Sequence, residues 1–187
     1  MTHHWSKALP RNACRDALAW AYSQPSANAA WNTCERGDWM LWVLGKLSGK
    51  PESASRKKLV LAACACARLA LIHVPKGEDR PLIAIETAER YARGKGPTLH
   101  DVKEAAYAAA ATAASTAAAT DAATAAYAAT AAAAYAAYAA YAATAATTAT
   151  AAAYAAYART LTFKQCADIV RTHYPQAPQL AKLGEGA

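Results

Sequence analysis

Any chemistry in this chain must come from five histidines, five cysteines and thirteen carboxylates. His3, His4, His73, His100 and His173 form no HxxxH or HExxH pattern, so no helix presents a histidine pair for zinc. Cys14, Cys34, Cys64, Cys66 and Cys166 are odd in number and contain no CxxC pair. They read as reduced, mostly buried small apolar residues, not as a disulfide framework. Cys64 and Cys66, two apart, fall on nearly opposite faces of a helix and cannot jointly bind one metal. A nucleophilic thiol at Cys34 would need a basic activator; Glu35 and Asp38 oppose one, with Arg36 alone in favour. Glu78, Asp79, Glu86 and Glu89 remain as acid–base candidates, although helical spacing pairs Glu86 and Glu89 with Arg90 and Arg93. No glycine-rich phosphate loop occurs. These patterns assign no catalytic residue, no metal ligand and no cofactor, and the expectation is a non-enzymatic binding protein.

Charge gives the next clue. The net charge is +7, and the tract over residues 105–158 carries one charged residue, Asp121, so the positive charge sits outside that tract. Arg56-Lys57-Lys58 opens a helix, the end that the helix dipole makes unfavourable for cations. With Lys46 and Lys50 close in sequence, these residues are a candidate basic patch. It reads either as a solvated edge or as a docking patch for an acidic protein surface or nucleic acid.

The elements that must position these residues are all helical. Eight glycines and eight prolines leave few turns, and alanine, the best helix former, dominates. The expected architecture is all-α: one domain over residues 1–175, a bundle of about seven to nine helices judged from length and turn signals, with a loose tail over 176–187. Pro10 suits a first helical turn, and this helix should stop before Pro25. Ser26 is placed to cap the next helix, Gly37 to end it, and Asp38 to cap a compact apolar helix through Trp39 and Leu44. Ser48-Gly49-Lys50-Pro51 is a loop. Residues 56–73 form the candidate central helix, apolar all round from Leu59 to Ile72 except Arg68, with His73 near its end and Pro75 beyond. Asp79 then caps a helix with Pro81 in its first turn and a stripe of Leu82, Ile83, Ile85, Ala88, Tyr91 and Ala92, closed by Gly94 and Gly96. Thr98 and Asp101 read as a capping box, and Thr162 and Gln165 as a second, ahead of a last helix on which Phe163, Cys166, Ala167 and Val170 share a face.

Residues 105–158 are alanine, threonine and tyrosine apart from Ser115 and Asp121, without glycine or proline. One straight helix of that length would span about 80 Å at 1.5 Å per residue, so the tract should fold back into a tight hairpin, breaking at Thr120-Asp121 and Thr147-Thr148. Tyr127, Tyr135, Tyr138 and Tyr141 share one broad face, and Tyr154 and Tyr157 a second. They either fill gaps between helices or form an exposed surface. Alanine and threonine drive insertion into lipid weakly, so no membrane span is expected. The chain start shows no secretory signal, and the expected compartment is the cytoplasm.

The stretch Gly77-Glu78-Asp79-Arg80-Pro81-Leu82-Ile83-Ala84-Ile85-Glu86-Thr87-Ala88-Glu89-Arg90-Tyr91-Ala92-Arg93-Gly94, followed by an alanine-rich helix, resembles immunity proteins of bacterial polymorphic toxin systems, the immunity-five-like family. The preceding apolar run with Ala63-Cys64-Ala65-Cys66-Ala67-Arg68 fits as well, and the similarity spans roughly residues 30–175. The resemblance implies a helical inhibitor that neutralises a toxin by binding it. Related chains ride on phages and other mobile elements, where the target can be a host defence enzyme. Loop residues Arg36, Asp38, Lys76, Glu78, Asp79 and Arg80 are the candidate contacts. For Asp38 and Asp79 the competing reading is helix capping, and for Arg80 an internal salt bridge. A basic nucleic-acid-binding module is the alternative function. A homodimer stays open.

Overall fold

Leu59, Val60, Ala62, Ala63, Cys64, Cys66 and Ala67 are all buried, so one helix is covered over most of its circumference, with Lys58 and Arg68 left exposed along one stripe. In the computed structural model of the chain this helix is α4 (Ala54–Arg68), extended by a short 3-10 stretch (Leu69–His73). Before it come a 3-10 turn (Trp5–Ala8), α1 (Arg15–Tyr22), α2 (Ala27–Thr33) and α3 (Gly37–Leu47). After it come α5 (Arg80–Ala92), α6 (Leu99–Thr116) and α7 (Tyr154–His173). The structure describes residues 5–10, 12–74, 76–116 and 154–180, and for residues 70, 73, 110–116 and 154–161 the backbone alone. Every regular element among the described residues is helical. No helix of the described residues is long and apolar enough to cross a membrane.

The two faces of α4 build two cores. Val60, Ala63, Cys64 and Ala67 pack against Ile85, Ala88 and Tyr91 of α5 and Val102 and Ala106 of α6. Leu59 and Cys66 face the other way, into Trp31, Met40 and Leu44 and into Cys166, Ala167 and Val170 of α7. Cys64 and Cys66 therefore enter opposite cores, as their spacing requires. Arg171 of α7 fastens the second core by donating to the carbonyls of Trp31 (3.1 Å) and Cys34 (2.8 Å), which the end of α2 leaves without helical partners.

Several caps match the sequence. Ser26 accepts from the Ala29 N–H at 3.1 Å. Thr98 and Asp101 bond reciprocally, with the Thr98 N–H donating to the carboxylate at 2.7 Å and the Asp101 N–H to the Thr98 hydroxyl at 3.3 Å. Gly94 and Gly96 adopt positive φ at the end of α5. Ser53, unforeseen, caps α4 by accepting from Arg56 N–H.

Other expectations need correction. Gly37 does not end α2; it is the first residue of α3. A Cβ there would lie 2.4 Å from Cys166 Cβ and 2.6 Å from the Ala167 nitrogen, so glycine permits α3 to start hard against α7. Asp38 and Asp79 make no side-chain cap bond. The regular central helix starts at Ala54 and stops at Arg68, short of residue 73. Ile83 leaves the buried stripe of α5, whose inner face is Pro81, Ala84, Ile85, Ala88, Tyr91 and Ala92. Thr162 starts no helix: α7 runs through it, because the alanine-rich chain before it is a strong helix former with no breaker. Of the expected tail, Ala177 packs on the second core. The proposed breaks at Thr120-Asp121 and Thr147-Thr148, the hairpin they would make, Tyr127, Tyr135, Tyr138 and Tyr141, Pro75, His3-His4 and residues 181–187 lie outside the described residues, as do the side chains of His73, Tyr154 and Tyr157.

Candidate partner-binding surfaces

The six candidate contact residues fall into two groups at two helix starts. At the first, Arg36 grips Asp38 with two parallel bonds, Nε to Oδ1 at 2.8 Å and Nη2 to Oδ2 at 2.6 Å. Its guanidinium also stacks over the rings of Trp39 (4.3 Å) and Phe163 (4.5 Å). Phe163 is on α7, which the close approach at Gly37 brings within reach. The arginine thus bridges α3 and α7 and holds a carboxylate in the first turn of α3, where the helix dipole favours it. The bond from Asp38 raises the arginine further above its ordinary value. Glu35 pairs with Lys164 across the same seam at 2.7 Å.

At the second start, Arg80 grips Glu78, with Nε to Oε1 at 2.8 Å, and its own backbone N–H donates to the same oxygen at 3.1 Å. Glu78, not Asp79, therefore caps α5. The Arg80 guanidinium holds the Glu78 carboxyl below the usual carboxylate range. No aromatic ring covers this arginine among the described residues. Lys76, Asp79 and Arg80 are all exposed. Two large apolar side chains flank the loop: Ile72, 82% exposed, on its near side and Ile83, 52% exposed, on its far side. Neither was foreseen. Ile83 had been placed in the buried stripe by its spacing, and the central helix was expected to carry Ile72 inward.

The basic patch does not form one face. Arg56 is only 5% exposed. It donates to the carbonyls of Gly45 (3.1 Å) and Gly49 (2.9 Å), tying α4 to the end of α3 and the loop beyond. Burial lowers its pKa, with Tyr174 acting in the opposite sense. Lys57 lies over Tyr91 of the first core at 5.5 Å, and Lys58 over Tyr174 beside the second at 4.5 Å. Lys46 lies over Trp42 at 5.3 Å, and Lys50 is exposed in the loop. Sequence proximity grouped these cations, but the helix sends them in different directions.

Of the acid–base candidates, Glu78 and Glu89 are held in ion pairs, while Asp79 and Glu86 are exposed. Glu89 binds Arg68 at 2.9 Å and Arg93 at 3.1 Å; the first of these partners, from α4, was not anticipated. Arg68 and then Arg93 hold its carboxyl below the usual range. Burial pushes the Cys34 thiol up, and the Cys64 thiol up to about 12, so neither supplies a thiolate near neutrality. Among the described residues no cluster of three His, Cys, Asp or Glu side chains could hold a metal ion.

One further feature escaped the sequence reading. Trp5, Trp20, Trp31 and Trp39 line an open hollow of about 540 Å³, counting the part open to solvent, with an almost wholly apolar lining. The indole N–H of Trp5 donates to the Gln24 carbonyl and that of Trp31 to the Tyr174 carbonyl. The signal lay in composition, since all five tryptophans fall within the first 42 residues. The chain matches no family model, no curated protein and no solved structure.

Proposed function

We propose that this chain is a non-catalytic, protein-binding inhibitor of the immunity type, contacting its target through the connection between α4 and α5. The target is a toxin or, for a chain on a mobile element, a defence enzyme. The observation that carries this reading is the pair of exposed isoleucines, Ile72 and Ile83, on either side of the charged loop with Lys76, Glu78, Asp79 and Arg80. Exposed apolar side chains beside charged groups are the mixture that specific interfaces use. Covering one such side chain contributes roughly 1.5–3 kcal/mol. With a net charge of +7, the chain is a poor imitation of nucleic acid, so its partner should present an apolar recess edged with acidic groups and not a basic nuclease cleft. The dispersal of Arg56, Lys57 and Lys58 weighs against the alternative of a basic nucleic-acid-binding module, which needs cations along one face.

The test is affinity capture from a lysate of the producing cell at low and high salt, with nuclease treatment in parallel. The expected result is a stoichiometric protein that survives nuclease and is lost from the chain carrying Ile72→Asp with Ile83→Asp. Recovery of nucleic acid alone, released by salt, overturns the reading in favour of the basic module. A partner that the double variant retains in full overturns the choice of surface.

A further inference from the structure

Of the five cysteines, two meet. Cys66 on α4 and Cys166 on α7 are 100 residues apart in sequence, and the Cys66 thiol donates to the Cys166 carbonyl at 3.7 Å across the seam between the two helices. The two side chains also lie close enough to interact across this seam. That proximity favours the thiolate at Cys166, whose pKa falls, over the thiolate at Cys66. The Cys166 Cβ also lies against Gly37, the first residue of the eleven-residue helix α3, whose dipole favours negative charge at that end. Asp38 acts in the opposite sense. Cys166 is 9% exposed and Cys66 5%, so the pair is buried and only a small reagent such as peroxide suits it. Cys34 and Cys64 have raised pKa values instead.

We infer that Cys66 and Cys166 are a redox site: a dithiol that hydrogen peroxide closes to a reversible disulfide clasping α4 to α7. In the first step the Cys166 thiolate attacks one peroxide oxygen. The O–O bond breaks, and the departing hydroxide takes up the proton that Cys166 gave up, leaving water and a sulfenic acid at Cys166. In the second step the Cys66 sulfur attacks the sulfenic sulfur. The S–O bond breaks, and the Cys66 proton leaves with the hydroxide as a second water. Two thiols are oxidised and one peroxide is reduced. The oxidised clasp encloses α5 and α6, so it shortens the unfolded chain and should slow global opening. This inference is independent of the partner-binding surface.

The test uses the full chain. Exposed Cys14 is alkylated in the native protein, peroxide is added, and after unfolding the remaining thiols are labelled with a second alkylating reagent and mapped by peptide mass. The expected result is loss of two titratable thiols, recovery of Cys66 and Cys166 as one cross-linked peptide pair lighter by two hydrogens, and full reversal by dithiothreitol, with Cys34 and Cys64 still labelled. In Cys66→Ala the cross-link disappears and dimedone traps a sulfenic acid at Cys166. A sample with unblocked Cys14 reports that the oxidant is active. If Cys66 and Cys166 stay fully labelled at peroxide doses that oxidise Cys14, or if Cys166 is recovered joined to Cys34, the inference is overturned.

Discussion

Arg36 and Arg80 have nearly the same local chemistry. Each sits at the start of a helix, and each clamps a carboxylate two residues away with parallel bonds. Their surroundings differ. Arg36 lies between Trp39 and Phe163 and joins α3 to α7. Arg80 stands in solvent on a loop bordered by Ile72 and Ile83. A bidentate pair becomes structural when a second element closes over it, and stays available for recognition when none does. The same contrast separates Arg56, swallowed by the turn after α3, from exposed Lys50.

The sharpest way to break this comparison is at the glycines beside each pair. Gly37→Ala places a methyl group against Cys166 and the α7 backbone, so α3 must move away; we expect a loss of about 2–3 kcal/mol in urea unfolding. Gly77→Ala meets nothing within 4 Å but must hold a φ of +89°, so the expected loss is about 1 kcal/mol. Arg56→Met should cost about 2 kcal/mol by stranding the carbonyls of Gly45 and Gly49, whereas Lys50→Ala should leave the denaturation midpoint in place. Next comes the pair itself. Arg36→Ala should lower stability by about 1–2 kcal/mol through its two ring contacts and leave partner capture intact. Arg80→Ala should leave the midpoint unmoved and weaken partner binding by about ten-fold in titration calorimetry.

The smallest effect is with pH. The Glu89 carboxyl is held low by Arg68 and Arg93, so its contribution is full above the ordinary carboxylate value and is lost as pH falls through the depressed folded value. His173 is also depressed, by burial and then by Lys58. Its unfolded form takes the proton first, so a penalty on the fold begins near pH 6.5 and grows until the folded value is reached. Stability should therefore decline in two stages on acidification. Glu89→Gln should shrink the lower stage, to which Glu78 and Asp101 also contribute, and a neutral replacement of His173 should remove the upper one.

The helices, the caps at Ser26 and Thr98 and the burial of most of α4 were legible because they follow from local rules: proline and glycine punctuation, serine and threonine caps, and a long apolar run. The Thr98–Asp101 box is of this kind. What stayed hidden depends on contacts far apart in sequence. Gly37 looks like a helix end until Cys166, 129 positions on, is seen against it. The cations around Arg56 look like one patch until Tyr91 and Tyr174 draw Lys57 and Lys58 to different cores. The loop residues Glu78 and Arg80 were foreseen as candidates from charge and position alone. Ile72 and Ile83 were missed because apolar spacing marks a face as buried whether or not anything covers it.

Amide hydrogen exchange of the chain, alone and in complex with its captured protein, tests the central claim most directly. The account predicts new protection over residues 76–83, with residues 36–38 and the start of α4 unchanged. Protection confined to residues 36–38 or to the start of α4, with residues 76–83 exchanging as in the free chain, would contradict it.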